Sequence, residues 1–279
     1  MQLTDLSSRV IPANEYRRER WRNQLGWTRE ILRLGNTAQW ALRLSIAEIE
    51  QDAAFSAFAG IDRELVLLRG NGMRLMFGSG DADTDTNTHT HTHTHTCARK
   101  SGSASAHANG SATTAGIQTA ADARKGAGPD TSGAGSADEH AAVDGSWGAG
   151  ERLGANASRS RCVDLVPPYQ RVRFAGEEAV EAVLLDGPTQ DFNLMWRRDL
   201  LQTELLHRPL VGTMLFFADP GSAWAIHLLA GQASFGRDSG LPPLAAGDTA
   251  WLSAATRTRY VLDGGGELLA IRVSPLPEH

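Results

Sequence analysis

The sequence predicts an all-β fold, on three observations. Apolar and polar residues alternate with period two in segment after segment. Turn signals carrying Gly, Pro, Asn or Asp interrupt those segments at short intervals, and no long apolar stripe runs at the 3.6-residue helical period. Many short strands of this kind build a sandwich or a barrel.

Taken in order, Trp40, Leu42, Leu44 and Ile46 alternate with Ala41, Arg43, Ser45 and Ala47, which predicts a strand with two different faces. Residues 65–68 form an apolar run stopped by Gly70-Asn71-Gly72, and 73–77 follow, so a hairpin is expected across those glycines. Further on, Val172 and Phe174 alternate with arginines up to Gly176. Residues 180–185 run to Asp186-Gly187-Pro188, and Phe192, Leu194 and Trp196 alternate again. In the last third, residues 214–217, 224–230, 249–252, 257–262 and 267–273 are strand-like. Turn signals separate them, among them Gly231, Gly247-Asp248 and Gly264-Gly265-Gly266, the last read as a hairpin turn rather than a phosphate cradle.

Between these strand-rich parts lies a different kind of chain. Residues 78–161 are 84 residues of Gly, Ser, Ala, Thr, Asp and His with one aromatic, Trp147. They hold too little apolar surface to offset the entropy of ordering them, so a long disordered insert is expected. It falls between the strands at 73–77 and 163–166, at a hairpin tip, where each doubling of loop length costs only about 0.6 kcal/mol. Within it, Thr and His alternate from Thr88 to Thr96. His89, His91, His93 and His95 lie on one side of an extended chain and suit weak, adventitious capture of nickel or zinc. The competing reading is an in-frame CA dinucleotide repeat, which encodes alternating Thr and His, expanded in a permissive loop.

Charge and composition exclude several function classes. The net charge is −5 with no basic run, which disfavours nucleic acid and anionic membranes as partners. No run approaches 18 apolar residues and no signal peptide is visible, so a cytoplasmic protein is expected. The two cysteines, Cys97 and Cys162, sit in or beside the insert and do not read as a disulfide framework. Outside the insert only His207, His227 and His279 remain, with no His-x-His, Cys-x-x-Cys, H-E-x-x-H, G-x-S-x-G or P-loop motif. No cofactor and no core metal are expected, and His227, in an alternating strand, reads as a satisfied or exposed histidine.

Three segments could carry chemistry. The stretch from Trp21 to Glu30 packs Trp21, Asn23, Trp27, Thr28 and Arg29 together, a mix of flat apolar surface and donors that suits a small polar or anionic ligand. The competing reading is that its tryptophans fill a barrel end while its arginines face water. In the stretch from Asp186 to Arg198, Asp191 and Asn193 share one face of a strand, and Phe192 and Leu194 the other. In the third, from Phe55 to Glu64, Arg63 either pairs locally with Asp62 or points inward as a carboxylate clamp.

These segments, in this order, resemble the HutD/Ves family of cupin-like proteins associated with histidine utilisation. The matching pieces are Trp21-Arg22-Asn23 with Gly26-Trp27-Thr28-Arg29-Glu30, residues 43–49, Phe55-Ser56 with Phe58 and Gly60-Ile61-Asp62-Arg63, Leu67-Leu68 with Gly70 and Gly72-Met73, Phe174 with Gly176, and Asp186-Gly187-Pro188 with residues 191–195. The resemblance implies a bicupin, with residues 1–77 plus 162–200 as one half, 78–161 as insert and 201–279 as the other half. It implies a non-catalytic protein that tunes histidine catabolism by binding an acidic intermediate such as formiminoglutamate, formylglutamate or urocanate. The residues expected to bind it are Trp21, Asn23, Thr28, Arg29, Ser45, Phe58, Arg63, Phe192 and Asn193. By analogy with cupins a homodimer would hide unpaired strand edges. The chain departs from the family's Trp-Lys-Asn-Gly-Gly-Gly pattern at Arg22 and at Gln24-Leu25, which replace the lysine and the first two glycines. The competing functions are a metal-independent cupin enzyme using Glu30, Glu48 or Asp191 as general base, and metal buffering by the Thr-His tract.

Overall fold

A computed structural model describes residues 7–36, 38–78 and 161–277. The Thr-His tract and its four candidate metal ligands lie outside the described residues. Among those described there is no α-helix. The described residues form sixteen strands and two single 3-10 turns.

The strands make three sheets. A central six-stranded sheet runs β2 (Arg17–Arg20), β3 (Gly26–Gly35), β4 (Trp40–Ile49), β11 (Thr189–Arg197), β6 (Ile61–Arg69), β9 (Arg171–Ala175). A small sheet runs β5 (Ala53–Ala54), β10 (Ala179–Leu184), β7 (Met73–Gly78), β8 (Arg161–Leu165). The C-terminal sheet runs β1 (Arg9–Ile11), β15 (Thr249–Ser253), β13 (Ala223–Phe235), β16 (Thr258–Pro275), β12 (Leu201–Ala218), with β14 (Leu244–Ala245) beside β13. Every pairing is antiparallel.

The period-two pattern explains the layering. Along β11, Phe192, Leu194 and Trp196 join an apolar cluster shared with the C-terminal sheet, where they meet Leu201, Trp251, Leu269 and Ile271. Residues of the opposite parity face the small sheet, whose Met73, Leu75, Phe77 and Val180 pack on Leu65 and Leu67 of β6. The central sheet is therefore buried on both sides. The C-terminal sheet coils on itself instead, and Phe216, Leu228, Leu244, Leu252 and Leu262 form a third apolar cluster. This is the bicupin architecture that the sequence predicted.

Three local expectations are corrected. The run at 65–68 and the strand at 73–77 do not form a hairpin: β6 pairs with β11 and β9, whereas β7 pairs with β10 and β8. Gly70-Asn71-Gly72 instead carries the chain from one sheet to the other. Gly264-Gly265-Gly266 is no turn but the middle of β16, opposite Gly231 in β13. Cβ atoms at Gly231 and Gly266 would lie 1.9 Å from the carbonyl oxygens of Gly265 and Ala230, so only glycine permits this close approach of the paired strands beside the bulge at Leu228–Ala230. Cys162 is disulfide-bonded, contrary to its reading outside any disulfide framework.

Two further placements matter for the site. β7 and β8, which flank the insert, pair directly through Phe77 and Arg161, so the insert does leave from a hairpin. β1, from the stretch assigned by sequence to the first half, pairs with β15 of the C-terminal sheet. Tyr16 follows it there, donating its hydroxyl to the Gly247 carbonyl at 2.6 Å and lying 2.7 Å from Thr249 Oγ1.

Candidate ligand-binding site

The face of the central sheet that looks toward the small sheet carries an unusual load of polar side chains. Three cross-strand rows define it. Thr28, Ala47, Asp191 and Leu67 lie in one row, then Glu30, Ser45, Asn193 and Leu65, then Arg33, Arg43, Met195 and Arg63. A bulge in β3 between Glu30 and Leu32 resets the alternation, which is why Glu30 and Arg33 share this face although three residues apart.

One end of this surface is self-neutralised. Glu30 accepts from Arg33 Nε at 3.1 Å and from Arg43 Nε at 2.9 Å, and Arg17 approaches its other oxygen at 3.8 Å. Burial acts to raise the Glu30 pKa, but the Arg33 hydrogen bond with the Arg43, Arg33 and Arg17 charges holds it below the usual carboxylate range.

The other end is not neutralised by protein groups. Arg63 is 5 % exposed, Asp191 1 % and Asn193 8 %. Arg63 Nε, both carboxylate oxygens of Asp191 and Asn193 Oδ1 are buried without a hydrogen-bond partner among the described residues. Each such orphan costs about 1–3 kcal/mol, more for charged groups. The Arg63 guanidinium lies over three phenyl rings, Phe55 at 5.1 Å, Phe174 at 5.1 Å and Phe58 at 5.8 Å. Burial pushes the Asp191 carboxyl up to about 7, and the opposing field of Arg63 is the smaller influence. Burial likewise brings Arg63 down to about 10 against the pull of Asp191.

The expected site residues divide by face. Thr28, Ser45, Arg63 and Asn193 lie on the polar inner face, with Phe58 beside Arg63, and Trp21 donates from Nε1 to Thr28 Oγ1 at 2.8 Å. Arg29 and Phe192 lie on the opposite face. Arg29 Nε is 2.9 Å from Glu48 Oε1, and the Phe192 ring is 5.2 Å from His227. Their side chains follow the strand alternation away from Arg63. Asn23 is exposed in the turn after β2, its Oδ1 accepting from the Leu25 amide at 3.1 Å, which is a turn-forming role. Arg63 does not pair with Asp62, which is held by Arg173 and Arg198. The sequence offered Asp191 and Glu30 only as candidate general bases, and passed over Phe55, Phe174, Arg33 and Arg43. The signal for Asp191 was available, because it shares the parity of Asn193.

Among the described residues no group of three or more His, Cys, Asp or Glu side chains is placed to hold a metal ion. His227 is buried with Nδ1 2.9 Å from Thr249 Oγ1, and burial first, then Arg29, lowers its pKa to about 4. Among the described residues, one surface cleft is lined by Leu67, Gly70 and Tyr169 and another by Gln232, Asp248 and Asp263. Neither holds an orphaned buried charge, and so the inner face of the central sheet is the better candidate.

Comparison with known proteins bears on the family and the fold. The HutD family model matches residues 13–124 and 148–270. The chain belongs to the HutD family. An uncharacterized 21.2 kDa protein from the hutC 3' region of Pseudomonas putida is 42% identical over 69 residues, 24% of this chain and 36% of that protein. The match thus spans about a third of that relative's length. HutD from Pseudomonas fluorescens SBW25, solved in a formate condition, superposes with a TM-score of 0.58 at 19% identity, covering 97% of this chain and 100% of that one. A conserved protein of unknown function from Pseudomonas aeruginosa PAO1 gives 0.58 at 19% identity, covering 97% and 99%. Oxalate decarboxylase from Lactobacillus farciminis gives 0.51 at 9% identity, covering 97% and 87%, a likeness of cupin fold alone. In this HutD-family chain no helix among the described residues is long and apolar enough to cross a membrane.

Proposed function

We propose that this HutD-family protein is a non-catalytic binder of a small acidic compound and tunes histidine catabolism through it. Formiminoglutamate, formylglutamate and urocanate are the candidate ligands. One observation carries the reading: among the described residues Arg63 Nε, both Asp191 carboxylate oxygens and Asn193 Oδ1 are buried on one face of the central sheet without a hydrogen-bond partner. A carboxylate supplies the acceptor that Arg63 lacks, and an N–H donor supplies what Asn193 Oδ1 lacks.

Thermal unfolding with each of the three acids tests it. A ligand at 100 times its Kd adds about 2.7 kcal/mol of stability. The expected result is a concentration-dependent rise in Tm with at least one acid, lost in Arg63→Ala. A Tm unmoved by all three would overturn it.

Proton transfer on a small polar substrate is the second reading. The Asp191 carboxyl, pushed up to about 7 by burial, favours it, because a general base works best with a pKa near the working pH. Turnover of any of the same acids by pure protein, lost in Asp191→Asn, would decide for it.

A further inference from the structure

The interior of the first half has its charges arranged for a definite stoichiometry. Three guanidiniums face it, Arg33 from β3, Arg43 from β4 and Arg63 from β6. Two carboxyl groups face it, Glu30 from β3 and Asp191 from β11. Glu30 is committed to Arg33 and Arg43, with Arg17 of β2 behind it. β9 contributes Val172 and Phe174, and the buried side chains of the small sheet are all apolar. Among the described residues, Arg63 is the one cation here without a hydrogen bond or ion pair, and Asp191 is the one carboxyl group without either.

These two groups face one interior from neighbouring strands yet form no ion pair. An ionised Asp191 already draws on the field of Arg63, the one charge acting on it. A ligand carboxylate at Arg63 draws on the same field. Two anions sharing one buried cation is costly, and the cheaper state protonates one of them. The ligand carboxylate makes charge-assisted hydrogen bonds to the guanidinium, and so the proton goes to Asp191.

We propose that Asp191 is a specificity-determining residue of this site: it competes with the ligand carboxylate for Arg63, so that one carboxylate is bound together with one proton taken up by Asp191. This rests on the reading of the site as a binder of small acids. In the complex Asp191 is a neutral carboxylic acid, which can donate one hydrogen bond and accept another, so the ligand must offer an acceptor to it as well as a carboxylate to Arg63. Below neutrality Asp191 already holds its proton in the free protein, since burial pushes its carboxyl up to about 7. Affinity is then flat on the acid side and falls about tenfold per pH unit on the alkaline side.

The test is isothermal titration calorimetry of the full chain with N-formyl-L-glutamate, whose two carboxylates are ionised throughout pH 6 to 8.5, one to meet Arg63 and the other to accept the hydrogen bond of protonated Asp191. Buffers of different ionisation enthalpy count the protons exchanged. The expected result is close to one proton taken up per ligand at pH 8.5, little at pH 6, and a Kd that weakens at least tenfold between pH 7 and 8.5. Asp191→Asn, a neutral isostere, should bind with an affinity flat across that range and exchange no protons. Binding without proton uptake, or loss of binding in Asp191→Asn at every pH, would overturn the inference while leaving the acid-binding reading intact. No binding of any of the three candidate acids at any pH overturns both. Should Asp191→Asn fail to fold, the proton count on the unaltered chain decides alone.

Discussion

Arg63 on β6 and Asp191 on β11 are both buried and look into one interior from adjacent strands on either side of Asn193, and among the described residues Arg63 Nε and both Asp191 carboxylate oxygens have no hydrogen-bond partner. A fold selected only for stability has no use for that arrangement. Burying unpaired charge costs several kcal/mol, and apolar side chains of similar volume are usually neutral or better. The double variant Arg63→Met/Asp191→Leu should therefore unfold at the same or higher denaturant concentration, with a gain of up to about 1–4 kcal/mol, and should bind none of the candidate acids. Urea titration and calorimetry on the same preparation check both halves. A loss of stability beyond about 2 kcal/mol would mean that the pair is structural.

Two buried titratable groups give stability opposite pH slopes. Asp191 has its pKa raised from 3.8 to about 7, so the folded state holds the proton more tightly than the unfolded chain. Its contribution is present below about pH 4 and is lost as pH rises through 7, in total about 4 kcal/mol. His227 has its pKa lowered from 6.5 to about 4, so its contribution is present above 6.5 and is lost as pH falls toward 4, in total about 3 kcal/mol. Between pH 4.5 and 6.5 the two slopes oppose each other. Urea denaturation at steps from pH 4 to 8 should show a shallow profile for the unaltered chain. Asp191→Asn should gain stability with pH in that window, and His227→Gln should lose it. Parallel profiles for all three proteins would contradict both assignments.

The turn after β2 holds a residue in a conformation that favours glycine. Gln24 has φ 62°, in the left-handed region. A left-handed L-residue costs about 1–2 kcal/mol. Gln24 recovers part of this through its amide, which donates to the Trp21 carbonyl at 3.4 Å, and through Arg20 Nε, which donates to Gln24 Oε1 at 3.3 Å. Gln24→Gly should raise stability by about 0.5–1 kcal/mol, seen as a rise in Tm. Gly26→Ala should do the reverse, because a Cβ there would stand 2.5 Å from the Glu48 carbonyl oxygen and 3.1 Å from the Trp21 ring. An equal effect of the two substitutions would refute this account of the turn.

What the sequence made legible was local. The alternation of Phe192, Leu194 and Trp196 with Asp191, Asn193 and Met195 assigned β11 its two faces, and both faces are where the alternation put them. The same rule, applied to β3, separates Arg29 from Thr28, since neighbours in a strand point to opposite faces. The bulge at Glu30–Leu32 could not be read in this way, because nothing in the residue types marks it, and it is what brings Arg33 to Glu30. Glycines misled twice for one reason. A glycine records that a side chain does not fit, whether the cause is a turn or a neighbouring backbone. At Gly264-Gly265-Gly266 the cause was the close approach of the paired strand β13, which a local reading cannot contain.

By itself the sequence determined the all-β class, the faces of its strands, the place of the insert and, through ordered motifs, the family. These follow from periodicity and turn chemistry, which act over a few residues. Only the tertiary structure decided which strands pair, since β6 finds its partner β11 far along the chain and leaves its neighbour β7 to another sheet. It also decided which of several arginines stands alone: Arg33 and Arg43 are neutralised by Glu30, and Arg63 is not. Whether a charge is paired depends on what the fold brings within about 4 Å of it, and that distance is set by the packing of sheets, not by spacing along the chain.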